Sequence, residues 1–235
     1  ASGATLVRCV IILCFATVAA TAAQAQPLSV LLVGDSIVVS DAPDWVGYYH
    51  HVKASRPEWE ITKFAVTNSQ NALDGYNEFP EVFAEQDIIH FNAGLHSLRW
   101  DRFEDQATYA QNLGELADLL VATGATIIWR STTPIAEGAS GGRDHSLVPV
   151  YNHVAREVMA GRGVMVDDLH QELLPYYNAD PSKGGQYLVE DGTHWNSWSQ
   201  REIIAPSVAA QISLAAADRN HDGVVDGEDL LHWQQ

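Results

Sequence analysis

Residues 31–40 read LLVGDSIVVS. A leucine- and valine-rich run, LSVLLVG over 28–34, ends at Gly34 and delivers Asp35 and Ser36 directly after it. A short apolar run that stops at a turn residue reads as a strand. Ser36 is then either a nucleophile at a strand end or one more serine in a turn. The partners supplied by the rest of the chain decide between the two.

Downstream, short apolar runs alternate with longer amphipathic segments. WEITKFAV (59–66), DIIHFNAG (87–94), ATIIWRST (125–132) and GVMVDDL (163–169) are further strand candidates, the first of them the weakest. Between them lie DWVGYYHHVKAS (44–55), ATYAQNLGELADLLVATG (107–124) and VPVYNHVAREVMAGRG (148–163). Leu113, Leu116, Leu119 and Leu120 recur at helical spacing, and Gly124 marks the end of their helix. A last helix is predicted over 197–216, with a kink at Pro206. Strands alternating with helices predict βαβ units, a parallel sheet of about five strands and a three-layer α/β/α domain. Ligands bind beyond the carboxyl ends of such strands. Chemistry is therefore expected just after the runs: at Ser36, at Asn92 to Ser97, and at Ser131 to Pro134.

Residues 1–25 read as a secretory signal peptide. Arg8 supplies the positive flank, CVIILCFATVAA the apolar core, and AQA (23–25) a small-x-small cleavage site. The apolar run is shorter than the roughly 20 residues a membrane span needs. A secreted or periplasmic protein with no membrane association after cleavage is expected, with a retained anchor as the alternative. Both cysteines, Cys9 and Cys14, lie in this leader. The remainder has no disulfide, thiol nucleophile or thiolate ligand to offer. The formal charge is −17, from 30 acidic residues against 13 Lys and Arg. Nucleic acid is a poor partner for such a chain, because phosphate binding wants a basic patch.

A serine hydroxyl is a weak nucleophile near neutral pH. It needs a base for its proton, an acid to hold that base in one tautomer, and donors for the oxyanion. The first two occur together in VEDGTHWNSWSQ (189–200), where Asp191 and His194 are three apart and Gly192 allows a turn between them. Alone, that pair also fits a helix cap beside a surface histidine. Placement favours the catalytic reading: one element follows the first strand, the other precedes the last helix, and both belong at one sheet edge.

LLVGDSI and DGTHWN together resemble the SGNH (GDSL) hydrolase superfamily, serine esterases and lipases on a flavodoxin-like α/β/α fold. DIIHFNAGLHSL (87–98), STTPIAEGA (131–139) and YNHVAREVM (151–159) are similar to a bacterial subgroup with Gly-Leu-His in its third block. The resemblance spans 28–214 and implies a hydrolase domain over 26–215. It implies that Ser36 is the nucleophile, His194 the general base and Asp191 its orienting acid. The family's third block usually reads Gly-x-Asn-Asp, with the asparagine donating to the oxyanion. Here the stretch is Gly94-Leu95-His96-Ser97, so His96 stands in the asparagine's place and Asn92 is the other candidate. The second block usually carries a glycine whose N–H completes the hole. Here Ser69 to Asn71 occupy the place, and Ser69 is the candidate. Ser36 itself adds a backbone N–H at the start of a helix.

The tail DRNHDGVVDGEDLLHW (218–233) carries a second signal. Oxygen ligands fall at loop positions 1 (Asp218), 3 (Asn220), 5 (Asp222), 9 (Asp226) and 12 (Asp229). Gly223 stands at 6, and Val224 at 7 offers its carbonyl. This is the spacing of an EF-hand calcium loop. Asp at the last position and DLLHW after it resemble a dockerin repeat, though one repeat stands where dockerins carry two. A structural Ca2+ site over 216–235 is expected, with a cohesin-like or cell-surface partner as one use for it.

These readings converge on a secreted serine esterase. The dockerin-like tail points to an acylated, in particular acetylated, carbohydrate as substrate, and Trp100, Trp195 and Trp198 are candidate sugar platforms, with core or helix packing the favoured reading for any one of them. A lipase or lysophospholipase is the alternative among enzymes. A non-catalytic, calcium-dependent binding or cell-surface protein on a hydrolase scaffold is the alternative outside them.

Overall fold

The computed structural model describes residues 26–179 and 186–218, together with Val225 and Asp229. The expected leader over 1–25 and the calcium-loop residues Asn220, Asp222, Val224 and Asp226 lie outside them. Strands β1 (Ser29–Gly34), β2 (Glu60–Ala65), β3 (Ile88–Phe91), β4 (Thr126–Arg130) and β5 (Met165–Asp167) form one sheet in the order β2-β1-β3-β4-β5. Every pairing is parallel. These are the five runs read from the sequence, each shortened at its ends.

Burial explains why the runs differ in clarity. In β1 and β3 every residue from Val30 to Val33 and from Ile88 to Phe91 is buried, as expected of central strands covered on both faces. The edge strand β2 buries only Ile61, between exposed Glu60 and Thr62, so its sequence is more polar.

The helices are α1 (Ser36–Val39), α2 (Tyr48–Ser55), α3 (Ser69–Glu78), α4 (Pro80–Phe83), α5 (Gln106–Val121), α6 (Val148–Ala160), α7 (Leu169–Ala179), α8 (Ser197–Ser199) and α9 (Ala205–Ala217). Helices α3, α5 and α6 pack side by side, and α2 packs with α9, giving three layers. In α5 the buried stripe is Tyr109, Leu113, Leu116 and Leu120, while Leu119 is only partly covered. Asp105 caps this helix by accepting from Thr108 N at 2.9 Å, and Gly124 follows its end at φ +84°.

The expected kink at Pro206 takes a specific form. The helix breaks before the proline, in a π turn over Gln200–Ile204 where Ala205 N reaches back five residues to Gln200 O. A proline ring collides with the carbonyl four residues before it. The wider π turn accommodates this, and Pro206 falls in the first turn of α9.

The connections that leave β1 toward β2 and return to β3 run in opposite directions across the sheet. The carboxyl ends of β1 and β3 therefore border the crevice at a topological switch point. Ser36 begins α1 there. The loop after α1 folds back tightly: a Cβ on Gly47 would lie 2.3 Å from Val38 O and 2.7 Å from Ser40 N, both backbone atoms. Gly47→Ala is therefore expected to cost about 1–3 kcal/mol through overpacking. In thermal unfolding this reads as a drop of roughly 2–4 °C per kcal/mol for a domain of this size; an unchanged melting temperature would contradict the close approach.

Candidate active site

One end of the candidate site is built from the consecutive residues Gly34 to Ile37. Asp35 caps α1, its Oδ1 accepting from Ile37 N at 2.9 Å. Gly34 is needed by close packing, since a Cβ there would lie 2.3 Å from Val38 Cγ2. Ser36 follows as the first helical residue, and the carbonyl of Asp35 accepts from Val38 N at 2.9 Å and Val39 N at 3.0 Å. Its Oγ lies 2.6 Å from His194 Nε2.

Asp191 and His194 come from one loop, over 187–196. Leu188 and Trp195 form an antiparallel bridge at its mouth, and Val189 N donates to His194 O at 2.9 Å. Gly192 turns the chain at φ +67°, a conformation L side chains rarely adopt. Asp191 Oδ2 lies 2.5 Å from His194 Nδ1. Its Oδ1 accepts from Thr193 N at 2.8 Å and His194 N at 3.0 Å. These partners assign the tautomer: Nδ1 carries the proton toward Asp191, and Nε2 accepts from the serine hydroxyl.

The loop is docked through its backbone onto the segment after β4. Ser140 N donates to Asp191 O at 2.8 Å and Ala136 N to Gly192 O at 2.7 Å. Trp195 is fully buried and donates from Nε1 to Pro134 O at 3.3 Å. Trp45 stacks on the His194 ring at 4.8 Å between centroids and 20° between planes. Trp45 is held there through Ser197, whose N–H donates to Asp44 O and whose Oγ accepts from Val46 N, each at 3.0 Å. Nothing in the sequence marked Trp45, since contact with His194 depends on segments about 150 residues apart in sequence.

Two expected oxyanion donors are corrected. Asn92 is fully buried, and its Nδ2 donates to Arg130 O at 2.7 Å and to Thr132 Oγ1 at 3.2 Å. Both amide hydrogens are thereby used to tie β3 to the end of β4. Ser69 N faces Glu104 Oε2 at 3.4 Å, and Gln70 N donates to Glu104 Oε1 at 3.0 Å. These amides are occupied by an internal carboxylate, Glu104, which no short-range pattern in the sequence links to them. His96 differs. It is half-buried, and its Nδ1 has no hydrogen-bond partner among the described residues. Burial lowers its pKa; Asp35 opposes this, while Arg143, Arg102 and Arg99 add to it. A neutral imidazole with one N–H results.

The remaining candidates sort by exposure. His90 has an acid partner, Asp167, at 2.8 Å, but both side chains are fully buried in the sheet. Asp168 accepts from Ser131 Oγ at 3.1 Å and from Arg156 Nη2 at 2.6 Å, and so belongs to the frame. Trp195, a candidate sugar platform with packing as the favoured reading, is in the core. Trp198 and Trp100 are 50% and 75% exposed. Of the expected calcium ligands, the described Asp218 and Asp229 are both buried. No helix among the described residues is long and apolar enough to cross a membrane.

No family model matches this sequence, and no curated protein sequence matches it. Solved structures share its shape. An acetyl xylan esterase superposes with a TM-score of 0.65 at 13% identity, covering 78% of this chain and 98% of that one. A lipase/acylhydrolase from Enterococcus faecalis does so at 0.60 and 20% identity, covering 78% and 95%. A member of the lipolytic G-D-S-L family from Veillonella parvula gives 0.61 at 18% identity, covering 78% and 97%. At these identities the shared property is the fold, the three-layer α/β/α arrangement around a five-stranded parallel sheet.

Asp191 also makes the site sensitive to acid. Burial works against its charge, but the amides of His194 and Thr193 and the His194 ring outweigh it and hold its carboxyl below the usual range. A depressed carboxylate stabilises the fold fully above its unfolded value, about 3.9, and loses that contribution as pH falls through the folded value. The melting temperature of the native protein is therefore expected to fall more steeply between about pH 5 and pH 3 than that of Asp191→Asn. Equal slopes would contradict an ionised Asp191.

Proposed function

We propose that this protein is a secreted serine hydrolase of carboxylic esters. The observation that carries the reading is the relay from Ser36 Oγ to His194 Nε2 at 2.6 Å and from His194 Nδ1 to Asp191 at 2.5 Å, at the sheet's switch point. Ser36 attacks the ester carbonyl as His194 takes its proton. Collapse of the tetrahedral adduct releases the alcohol, protonated by His194, and leaves an acyl-enzyme. Water, deprotonated by His194, attacks the acyl group, and the acid leaves with Ser36 restored. Asp191 keeps the imidazole in the required tautomer and stabilises its cation. Ser36 N–H and the His96 ring are the donors for the oxyanion, because the amides of Ser69 and Asn92 are committed elsewhere.

For substrate we favour an acylated, in particular acetylated, carbohydrate. The fold likeness to an acetyl xylan esterase, the dockerin-like pattern over 216–235 and the exposed rings of Trp100 and Trp198 support it. The likeness to a lipase/acylhydrolase keeps a lipid ester as the second reading among enzymes. Commitment of two expected oxyanion donors favours the non-catalytic alternative, a calcium-dependent binding or cell-surface protein.

A fluorophosphonate probe separates catalysis from binding. Labelling of the native protein and none of Ser36→Ala is expected; no labelling of the folded native protein would sink the esterase reading. The tail is read as a structural Ca2+ loop formed by Asp218, Asn220, Asp222, Val224, Asp226 and Asp229, available to a cohesin-like or cell-surface partner. Calcium is then expected to raise the melting temperature, and Asp222→Ala to abolish that rise. An identical curve with calcium and with chelator would remove the site from the account.

A further inference from the structure

The Glu104 carboxylate gathers hydrogen bonds from two loops at the carboxyl edge of the sheet. Glu104 is 7% exposed. Its Oε2 accepts from Ser97 Oγ at 2.5 Å and Ser69 Oγ at 2.8 Å, with Ser69 N at 3.4 Å. Its Oε1 accepts from Gln70 N at 3.0 Å. The backbone of Glu104 is held as well: its N–H donates to Ser97 O at 3.1 Å, and its carbonyl accepts from Tyr151 OH. Asn112 Nδ2 braces Ser69 Oγ from α5 at 3.2 Å. Among the described residues no Lys or Arg pairs with this carboxylate. Hydroxyls and the first-turn amides of α3 balance its charge instead.

The two loops so joined follow β2 and β3. Ser69 and Gln70 open α3, and Ser97 lies in the short 3-10 turn Leu95–Leu98. Ser97 is the residue next to His96. An imidazole stabilises an oxyanion only if its N–H is aimed before charge develops, so the turn that carries it must be held still. Among the described residues no other side-chain hydrogen bond ties this turn to α3; Arg143 Nε donates to Leu95 O at 3.1 Å, but its Nη1 donates to Ser140 O, not to α3.

We infer that Glu104 is a positioning residue for ester hydrolysis, clamping the His96 turn to the start of α3 so that the imidazole N–H meets the oxyanion formed at Ser36. The inference rests on the esterase reading and on His96 as a donor. A carboxylate suits the role because it only accepts, and it faces four donors. In Glu104→Gln the shape is kept, but one position becomes an NH2. Placed at Oε1, that NH2 opposes Gln70 N–H; placed at Oε2, it opposes Ser69 N–H and forces the Ser69 and Ser97 hydroxyls to turn from donating to accepting, Ser97 Oγ having Ala93 O as its other acceptor.

The test is a double-mutant cycle with a short-chain nitrophenyl ester on the full chain. Glu104→Gln is expected to lower kcat about tenfold to a hundredfold, with KM nearly unchanged. His96→Ala is expected to lower kcat by about 10²–10³. The double variant should be no slower than His96→Ala, because Glu104 acts through that ring, while the drop in melting temperature from Glu104→Gln persists in both backgrounds. If Glu104→Gln does not fold, Ser97→Ala takes its place. It removes the arm beside His96, leaves the carboxylate on α3, and should show the same non-additivity. Independent, multiplicative losses of kcat, or a wild-type kcat in the single variant, would overturn the positioning role and leave Glu104 a structural brace. A folded native protein that neither reacts with the probe nor turns over ester would overturn the esterase reading itself, and this role with it.

Discussion

The Asp191 carboxylate is shared between the backbone and the ring of its own loop, and the site depends on that sharing. One oxygen takes the amides of Thr193 and His194, and the other takes His194 Nδ1. The same four-residue turn, Asp191 to His194, therefore fixes the loop, the ring's orientation and its tautomer. Its carbonyl accepts from Ser140 N, so the turn is also fastened to the segment that leaves β4. Without that fastening, a ring 158 residues from Ser36 in sequence would have no defined distance to it. Buried Trp195 beneath and Trp45 alongside complete the restraint by packing.

A second carboxylate does comparable work on the other side of the crevice. The family pattern that the third block resembles ends in an acid; here Ser97 occupies that position, and Glu104 brings a carboxylate to its hydroxyl. The consequence reaches the chemistry. Amides at the start of α3, which would otherwise face solvent or a ligand, are satisfied internally. Under the proposed hydrolysis the oxyanion is left with the N–H of Ser36 and the imidazole of His96, whose pKa is lowered chiefly by burial. An imidazole in that role ties oxyanion stabilisation to how firmly one short turn is held.

Legibility from sequence followed locality. The central strands were plain because both faces are covered, so nearly every residue is apolar, His90 in β3 being an exception; β2, at the edge, is more polar and was weaker. Asp191 and His194 were readable because one turn delivers both. The break near Pro206 was readable too, because its cause, a proline ring against the carbonyl four residues before it, is local. The oxyanion donors were not readable. Whether Asn92 is free depends on Arg130 and Thr132, and whether the amides of Ser69 and Gln70 are free depends on Glu104, some 35–40 residues away. Trp195 and Trp198, three positions apart, have opposite fates for the same reason: one is roofed by the loop after β4 and the other is half exposed.

Sequence alone determined the alternation of strands and helices, the parallel sheet, the serine at its switch point and the Asp-x-x-His turn. Each is encoded in composition or spacing over a few adjacent residues, where chain connectivity does the positioning. Tertiary structure alone decided which polar groups remain available around Ser36. A hydrogen-bonding group can be spent only once, and its partner is chosen by whichever distant segment the fold brings within about 3 Å.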